Sequence, residues 1–374
     1  MNWMRSLAPV GKFVSWLVVL VCGATPALAQ STNTNCPAVN PGVTVNANGS
    51  KDTLYNATWQ VAGKTNRRYY IVHTPPGYDP TNPLRYPLVF FLHPGSSCAI
   101  NARNKPVNLA DYADELALAE QPTFFAVYPQ GYFDPVTKLG YWNAGNCSGA
   151  DGVTQSCATP AYTNGSNDID YFNSVLQQVQ SKFRTDTARV YVLGHSDGGS
   201  MAHLLGCQPQ THIAAVGSIE GTFKVPTCSL GNPPVSVIAF HSLGDTQNPY
   251  YGTGTEAALN VVPNTGREGD TSVEPFTMNL WRAANSCTDA PLKSDPAPST
   301  TGIGTYTLTS NTFCHFDSTG TSSQVLLYSL CDPYYDSDNN PRCDASHNWL
   351  YSLSTLDLDW RPLVWNFFQS RKKL

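Results

Sequence analysis

The stretch RVYVLGHSDGGSMAHLLGC, residues 189–207, decides the fold of this chain. It opens with an apolar, β-branched run (189–193) that predicts a strand, and it ends with a run (200–207) that predicts a helix. Between the two lies Gly194-His195-Ser196-Asp197-Gly198. A Gly-x-Ser-x-Gly turn between strand and helix lets a serine hydroxyl project from the edge of a sheet. The stretch therefore predicts Ser196 as a nucleophile.

The rest of the chain repeats the alternation of strand and helix. Apolar runs predict strands at 68–73, 87–92, 123–128, 189–193, 214–219 and 235–240. Runs with helical periodicity lie at 108–119, 168–183, 200–207, 273–287 and 356–370. Strands that are apolar almost throughout are typical of parallel sheets covered on both faces. The sequence predicts an α/β fold with a mostly parallel central sheet and helices on both faces.

Two long segments interrupt this alternation. Residues 131–167 and 250–271 are rich in Gly, Asn and Thr and have no periodicity, so they are predicted to be loops or insertions. Ligands bind at the carboxyl ends of the strands in open α/β sheets. Loops near those ends are expected to shape the pocket.

A serine nucleophile needs a base, and the base needs an orienting carboxylate. In this kind of fold the partners follow in the order serine, acid, histidine. Asp245 follows the predicted strand 235–240 and a short turn, so it is the predicted acid. Glu220, which follows the preceding strand, remains the alternative acid.

The base must come from eight histidines, of which only His315 and His347 follow Asp245 in the chain. His347 lies in a loop after the apolar run 325–330 and before the last predicted helix, where the final strand should deliver a base. His315 lies in an alternating stretch that is more typical of a structural role. His347 is therefore the predicted base, with His315 as the alternative.

The tetrahedral intermediate of acyl transfer needs donors for its oxyanion. The backbone N–H of Asp197, directly after the nucleophile, is the first expected donor. The second should come from the loop that follows the predicted strand 87–92. Pro94 in that loop has no N–H, so the expected donor is Gly95 or Ser96.

The N-terminus carries the marks of an export signal. Arg5 and Lys12 precede an apolar run, which ends in Ala27-Leu28-Ala29, a small-x-small cleavage site. We expect residues 1–29 to be a signal peptide cleaved after Ala29, residues 30–50 a flexible lead-in, and residues 51–374 the catalytic domain. The apolar run is too short to span a membrane. The mature protein is predicted to be secreted or periplasmic, with no membrane association.

Cysteine usage agrees with export. Ten of the eleven cysteines follow the leader, an even set suited to structural disulfides in an oxidising compartment. Their pairing cannot be read from spacing, although Cys331 with Cys343 would make a local link. No Cys-x-x-Cys pair supports a zinc site.

Other ligand classes are disfavoured by the sequence. Asp336, Asp338 and Asn340 match the first three positions of a calcium loop, but Pro341 stands where that loop needs glycine. We therefore expect no metal and no organic cofactor. The formal net charge is −5 and no basic patch is present, so nucleic acid is not an expected partner.

Several blocks of sequence also resemble a known family in their order. They are residues 87–97, 128–131, 141–145, 167–170, the elbow, 239–245, 249–252, 281–287 and 347–349. From about residue 64 to 350 the chain resembles the secreted feruloyl esterase and polyhydroxybutyrate depolymerase-like family of α/β hydrolases. The resemblance implies the α/β-hydrolase fold and a triad of Ser196, Asp245 and His347.

The chain departs from the family pattern at three places, one of which is the region 286–344, which is longer than expected and carries extra cysteines. His93-Pro94-Gly95 stands where members usually have His-Gly-Cys, which leaves the second oxyanion donor open between Gly95 and Ser96. Asp344-Ala345-Ser346 stands where glycines usually precede the histidine.

The expected function is that of a serine esterase acting through an acyl-enzyme. The first substrate class is a hydroxycinnamoyl ester, small or linked to plant polysaccharide, and the alternative is an aliphatic polyester such as polyhydroxybutyrate. A peptidase and a non-catalytic binding protein on the same fold are more distant alternatives. Tyr141, Trp142 and Tyr250 could form walls for an aromatic acyl group, or could equally be packing residues.

Overall fold

The strand that precedes Ser196 is one of twelve strands in a single sheet. These strands are β1 Gly42–Val45, β2 Lys51–Val61, β3 Lys64–Thr74, β4 Tyr86–Leu92, β5 Phe125–Pro129, β8 Thr185–His195, β9 Ala215–Ile219, β10 Ser236–Ser242, β11 Leu292–Lys293, β12 Ala297–Pro298, β13 Thr305–Asn311 and β14 Val325–Cys331. Across the sheet they lie in the order β1-β2-β3-β5-β4-β8-β9-β10-β14-β13-β11, with β12 paired to β13. Two small hairpins pair β6 Tyr132–Phe133 with β7 Gly140–Tyr141 and β15 Pro333–Tyr335 with β16 Pro341–Cys343.

The computed structural model describes residues 36, 41–61, 63–145, 158–225, 228, 234–251, 272–295, 297–298, 305–315, 322–331, 333–335, 341–343, 347–351 and 358–373. All of them belong to one unit, Thr34–Leu374. The predicted signal peptide, Cys147, Cys157 and the residues Asp336, Asp338 and Asn340 lie outside the described residues.

Seven α-helices lie among the described residues. They are α1 Ala99–Arg103, α2 Leu109–Leu118, α3 Pro160–Thr163, α4 Asp168–Lys182, α5 Asp197–Gly206, α6 Met278–Ala284 and α7 Trp360–Gln369. A π-helical turn, Val273–Thr277, leads directly into α6. None of the helices in the described ranges is long and apolar enough to cross a membrane.

The centre of the sheet is parallel, as predicted. Each neighbouring pair from β5 through β4, β8, β9 and β10 to β14 is parallel. The flanks are antiparallel: β1, β2 and β3 form a meander on one side, and β13 adds antiparallel to β14 on the other. The α/β-hydrolase fold expected from the sequence is confirmed.

The first strand corrects one sequence-based expectation. Residues 42–45 belong to the segment 30–50 that the sequence predicts to be a flexible lead-in, yet they pair with β2 in register from Gly42–Leu54 to Val45–Lys51. The strand is only four residues long, and its side chains are all exposed, so no core contact accompanies its short Val-Thr-Val pattern. Backbone hydrogen bonding to β2 decides its structure.

Apolar side chains cover both faces of the sheet. Alternate residues of one strand point to opposite faces, and the β4 side chains divide accordingly: Phe90 joins one buried cluster and Phe91 the other. The first cluster includes residues of α4, α5 and α6, and the second includes residues of α2 and α7. The helices therefore form a layer on each face, which leaves the strand ends for the site.

Disulfides link distant segments of the unit. The described pairs are Cys36–Cys98, Cys207–Cys228, Cys287–Cys314 and Cys331–Cys343. Cys331 pairs with Cys343, which is the local link that the sequence left open as a possibility. Cys36–Cys98 closes a loop of 62 residues and ties the N-terminal segment to the residue that precedes α1.

A buried ionic cluster joins the N-terminal meander to the helix layer. The His73 ring lies 3.0 Å from Asp52 and 2.8 Å from Asp114, and Arg103 forms a two-pronged ion pair with Asp52 at 2.9 and 3.0 Å. Burial by itself would raise the pKa of Asp52, but the hydrogen bonds from His73 and Arg103 outweigh it and lower that pKa. Burial would likewise lower the pKa of His73, but its two carboxylate partners raise it.

We expect Asp52→Asn to lower the free energy of unfolding by about 3 kcal/mol, because it leaves Arg103 and His73 without their shared carboxylate. Because the pKa of Asp52 is lowered, its contribution is present above the ordinary carboxyl pKa and is lost as the pH falls. The difference in unfolding free energy between Asp52→Asn and wild type should therefore shrink toward acidic pH. Urea unfolding with the disulfides intact, repeated at several pH values, would measure it.

The matched control is Asp186→Asn. Asp186 forms an ion pair with Arg189 that is partly open to solvent, so its loss should cost less than about 1 kcal/mol. Equal destabilisation by the two variants would contradict a special role for the buried cluster.

Candidate active site

Ser196 occupies a strained turn between β8 and α5. Its backbone has φ 56° and ψ −120°, a conformation that L-residues rarely adopt. Its N–H donates to the carbonyl of Ile219 at 2.8 Å, and its carbonyl accepts from Ser200 N at 2.9 Å. Its side chain makes no capping hydrogen bond to α5, and the residue is only half-buried. The hydroxyl is thus presented at the edge of the sheet.

Glycine is sterically required on both sides of this serine. A Cβ atom on Gly194 would lie 2.0 Å from the carbonyl oxygen of Gly198. A Cβ atom on Gly198 would lie 2.2 Å from the carbonyl oxygen of Leu92, at the end of β4. Both contacts are with backbone, which cannot move aside. The turn therefore forms only because α5 can approach β4 and β8 this closely.

Asp245 and His347 form the acid and base pair expected from the sequence order. His347 Nδ1 lies 2.7 Å from Asp245 Oδ2, and both side chains are buried. The other carboxylate oxygen, Oδ1, accepts from the backbone N–H groups of Gln247 and Asn248 at 2.8 and 3.0 Å. With Nδ1–H donating to the aspartate, Nε2 of His347 is left as the acceptor, which is the tautomer that a general base needs.

The charged form of Asp245 is favoured by its surroundings. Burial by itself would raise the pKa of Asp245, but hydrogen bonds and charge interactions with His241 and His347 outweigh it, so the pKa is lowered. Asp245 is therefore ionised at neutral pH. A carboxylate in this position stabilises the imidazolium that forms when His347 takes up a proton.

His195 connects the base to the serine turn. It precedes Ser196 directly, and its Nε2–H donates to the carbonyl of His347 at 2.8 Å while Nδ1 accepts from the Tyr351 hydroxyl at 3.1 Å. The rings of His195 and His347 are 5.1 Å apart at their centroids. Burial lowers the pKa of His195 to about 3, so it stays neutral. No local pattern in the sequence indicates this linking role, because the partner of His195 lies 152 residues away.

The two expected oxyanion donors adjoin each other. Asp197 is the first residue of α5, where backbone N–H groups have no partner within the helix and the helix dipole favours negative charge. A Cβ atom built on Gly95 would lie 3.3 Å from Cβ of Asp197, so the loop after β4 faces the start of α5. Ser96 in that loop has φ 58° and its hydroxyl donates to the Tyr141 hydroxyl at 3.0 Å.

The side chain of Asp197 has a function in the architecture that sequence reasoning missed. Its Oδ2 accepts from the backbone N–H of Trp142 at 2.7 Å, and its Oδ1 pairs with Lys224 Nζ at 3.0 Å. Both side chains of the ion pair are more than nine-tenths buried. The start of α5 is therefore tied to the segment after β7 and to the segment after β9, which holds the oxyanion region in place.

Two of the three expected aromatic walls are buried packing residues. Trp142 is 1% exposed and its indole N–H donates to the carbonyl of His93 at 2.8 Å. Tyr250 is 6% exposed and its hydroxyl lies 2.7 Å from Ser329 Oγ. This burial leaves them little surface for a substrate and favours packing, the second of the two roles that the sequence left open. Tyr141 is half-buried beside Ser96 and remains a candidate wall.

The alternative acid is Glu220 and the alternative base is His315. The contact with Asp245 is made by His347. His315 lies between β13 and β14, where its backbone is hydrogen-bonded to that of Asn285 and Ser323. Glu220 lies beside Asp245 but bonds to Trp349 and to the backbone of Ser242. Within the described ranges, Glu220, Asp245 and His347 each offer one possible metal-ligand atom, and these three atoms lie within 4.8 Å of one another. His347 bonds to Asp245 and Glu220 accepts from Trp349, so hydrogen bonds within the protein engage all three groups.

No protein-family model matches the chain. Curated relatives do: feruloyl esterase C from Emericella nidulans is 29% identical over 218 residues, which are 58% of this chain and 68% of the relative. Feruloyl esterase D from Neurospora crassa is 28% identical over 64% of this chain and 71% of the relative. The chain is an α/β hydrolase that is similar to feruloyl esterases. These relatives are named as carboxylic ester hydrolases, in agreement with the resemblance of the sequence blocks.

Solved structures are more distant. An acetyl xylan esterase from Aspergillus awamori has a TM-score of 0.41 and 13% identity, over 70% of this chain and 87% of that chain. A feruloyl esterase module from Clostridium thermocellum has a TM-score of 0.38 and 16% identity, over 56% and 75%. The assignment of the fold to this feruloyl esterase-like chain rests on its own sheet order and on the serine turn.

For Asp245→Asn we expect kcat toward an ester to fall by about 10³- to 10⁴-fold with little change in KM, because the amide no longer holds the required His347 tautomer. Steady-state kinetics with a p-nitrophenyl ester would measure this. Asp134→Asn is the matched control, since Asp134 also caps a turn through backbone N–H groups, those of Val136 and Thr137. Comparable losses in both variants would contradict the role of Asp245.

For Lys224→Met we expect a loss of unfolding free energy of about 3 kcal/mol, because the carboxylate of Asp197 would stay buried without its cation. The kcat should also fall, since the start of α5 carries the expected oxyanion donor. Chemical denaturation and ester kinetics would test both effects. The control is Lys64→Met at an exposed position of β3, expected within about 0.5 kcal/mol of wild type. A fully stable and active Lys224→Met protein would refute the bracing role.

Proposed function

We propose that this chain is an exported serine esterase that hydrolyses hydroxycinnamoyl esters, such as feruloyl groups on plant polysaccharide, with Ser196, Asp245 and His347 as its triad. The observation that carries the reaction type is the 2.7 Å contact between Asp245 and His347, whose loop is bonded to the residue preceding the strained Ser196. A serine at such a turn, together with a carboxylate-oriented histidine in a loop that is bonded to His195 of the same turn, supports nucleophilic catalysis.

The mechanism follows from the roles of these groups. Ser196 Oγ attacks the ester carbonyl carbon as His347 Nε2 takes its proton, and the resulting imidazolium is stabilised by Asp245. The backbone N–H of Asp197 and that of Gly95 or Ser96 stabilise the oxyanion. Collapse of the intermediate breaks the ester C–O bond, and the alcohol leaves with the proton from His347. Water then repeats these steps on the acyl-enzyme and releases the acid.

The substrate class is supported by the relatives rather than by the triad. Two of the curated relatives carry the name feruloyl esterase and match more than half of this chain. Tyr141 offers a half-buried aromatic ring next to the proposed oxyanion loop, where the planar ring of a hydroxycinnamoyl group could stack. The substrate would be a small ester or an ester linked to a polymer.

Export of the protein is supported by its disulfides. Four pairs lie in the described part of the chain, and such bonds persist in oxidising compartments. We include in the proposal that the signal peptide is cleaved after Ala29 and that the mature enzyme is secreted or periplasmic. Mass determination of the N-terminal peptide of the exported protein would locate the cleavage.

For Ser196→Ala we expect loss of methyl ferulate hydrolysis by at least about 10⁴-fold, because no nucleophile remains. Wild type should also be labelled covalently by a fluorophosphonate at Ser196, as peptide mass spectrometry would show. Ser174→Ala, which removes a hydroxyl on α4 that donates to the carbonyl of Thr58, is the control and should keep both properties.

The substrate class can be tested with polymers. We expect wild type to release ferulate from cereal bran and to leave a polyhydroxybutyrate film intact. Clearing of the film without ferulate release would assign an aliphatic polyester instead. A wild-type protein that takes no label and opens no ester would be a hydrolase-fold binding protein, and the proposal would be wrong.

A further inference from the structure

Glu220 is a buried carboxyl group that the proposed mechanism does not use. It follows β9 directly, it is 0% exposed, and its backbone has φ 53°. One side-chain oxygen, Oε1, accepts from the indole N–H of Trp349 at 2.5 Å. Both oxygens lie 3.0 Å from the backbone N–H of Ser242. A strained, fully buried acid with several partners is costly to keep unless it has a function.

The partners of Glu220 belong to the three segments that carry the proposed triad. Trp349 is two residues after His347, and Ser242 accepts the backbone hydrogen bond of Asp245 N at 3.3 Å. The carbonyl of Ile219, one residue before Glu220, accepts the N–H of Ser196. The carbonyl of Glu220 itself accepts from the side-chain amide of Asn248, in the acid turn, at 2.6 Å. Glu220 thus lies where the serine turn, the acid turn and the base loop meet.

The charges around Glu220 determine which carboxyl group carries the proton. Asp245 and the rings of His241 and His347 are the titratable groups that face it, and the ligand atoms of Glu220, Asp245 and His347 lie within 4.8 Å of one another. His241 Nε2 lies 3.3 Å from Glu220 Oε2 and 3.4 Å from Asp245 Oδ2, and 2.7 Å from its acceptor, the carbonyl of Asn248.

Two adjacent buried carboxyl groups cannot both be ionised at low cost. Asp245 has the direct 2.7 Å contact with His347, which favours its charge. Burial, followed by the charge of Asp245, raises the pKa of Glu220 well above its ordinary value. The proton therefore belongs to Glu220, and the neighbouring Asp245 carboxylate is the expected acceptor of its O–H.

We propose that Glu220, as a neutral carboxylic acid, is a positioning residue that holds the Asp245 turn and the His347 loop in register with the Ser196 turn. This role rests on the proposed ester hydrolysis, which it deepens. Glu220 does not contact the reacting atoms. It acts through Asp245, to which it donates, and through Trp349, from which it accepts.

The first test compares Glu220→Ala with Glu220→Gln. Alanine removes every contact, and we expect kcat for a p-nitrophenyl ester to fall at least 10-fold with KM changed less than 3-fold. Glutamine keeps a neutral donor and acceptor of the same shape, so Glu220→Gln should recover most of the kcat that Glu220→Ala loses. Glu220→Leu retains the volume but no hydrogen bond. If Glu220 only fills space, the leucine and glutamine variants should recover kcat equally.

The second test is the pH profile of kcat/KM for the glutamine variant. If Glu220 is neutral, its replacement by glutamine removes no charge, and the acid limb that reports His347 should stay within about 0.3 pH unit of wild type. If Glu220 is ionised, removing a charge about 5 Å from His347 should move this limb down by about one unit or more. A shift of that size would overturn the proposal.

Trp349→Phe keeps the test decisive if the alanine variant fails to fold. It removes only the indole donor, and we expect kcat to fall 3- to 10-fold at unchanged KM. Trp281→Phe is the matched control, because the indole of Trp281 is equally buried and donates to His203 on α5 instead, at 2.9 Å. Equal kcat values in wild type and Trp349→Phe, or equal losses in both tryptophan variants, would overturn the proposal.

Infrared difference spectroscopy separates this proposal from the proposed function. Wild type at neutral pH should show the C=O stretching band of a protonated carboxylic acid, and Glu220→Gln should lack it, whether or not any ester is hydrolysed. Absence of the band in wild type would overturn the neutral state of Glu220. Presence of the band in a wild-type protein without esterase activity would reject the proposed function alone.

Discussion

The backbone of Ser196 has a conformation that the chain would not adopt on its own. A residue at φ 56° and ψ −120° costs of order 1–3 kcal/mol, so the surrounding structure must impose it. The hydrogen bond from Ser196 N to Ile219, the continuation of β8 into the turn and the packing of α5 on the sheet impose it together. The strain is what keeps the hydroxyl out of helix capping and at the edge of the sheet.

The same constraint explains how the rest of the site is built. Because the serine must be held from three sides, each neighbouring segment is tied back to it by a polar contact: His195 to the base loop, Asp197 to Lys224 and Trp142, and Ile219 to the serine backbone. These contacts are buried, and buried polar contacts are stiff because an unpaired group in such a place is costly. These contacts thus hold the serine turn in a fixed position relative to the neighbouring segments.

Charge is distributed unevenly between the two buried carboxyl groups of the site. Asp245 is ionised because two histidines face it. Burial, followed by the charge of Asp245, raises the pKa of Glu220 and keeps it neutral. One negative charge is sufficient to orient a single imidazole, and a second would raise the cost of burial without a further cation to balance it. By contrast, the cluster of Asp52, Asp114, His73 and Arg103 contains cations enough for its carboxylates and serves the attachment of the N-terminal meander.

The amino-acid sequence determined the elements whose signals are local. The apolar runs predicted the central parallel strands, and the glycines at 194 and 198 identified the serine turn, because only glycine tolerates such backbone approach. Asp245 and His347 were predicted as acid and base from their order after Ser196 and from the predicted strands that precede them. Strand β1 escaped prediction because its pattern spans only four residues inside a polar segment. The burial of Trp142 and Tyr250 could not be foreseen because an aromatic residue in a loop may face either way.

Tertiary structure alone decided how distant groups share protons and contacts. From the sequence, Glu220 and Asp245 were competing acids, and no local pattern could show that both lie beside each other with different protonation states. Nor could it show that Lys224 pairs with Asp197, 27 residues away, or that His195 bonds to the backbone of His347, 152 residues away. Sequence patterns report which residues face a sheet or a turn. The pKa values and hydrogen bonds of the site depend on distances between segments, and only the folded chain sets those.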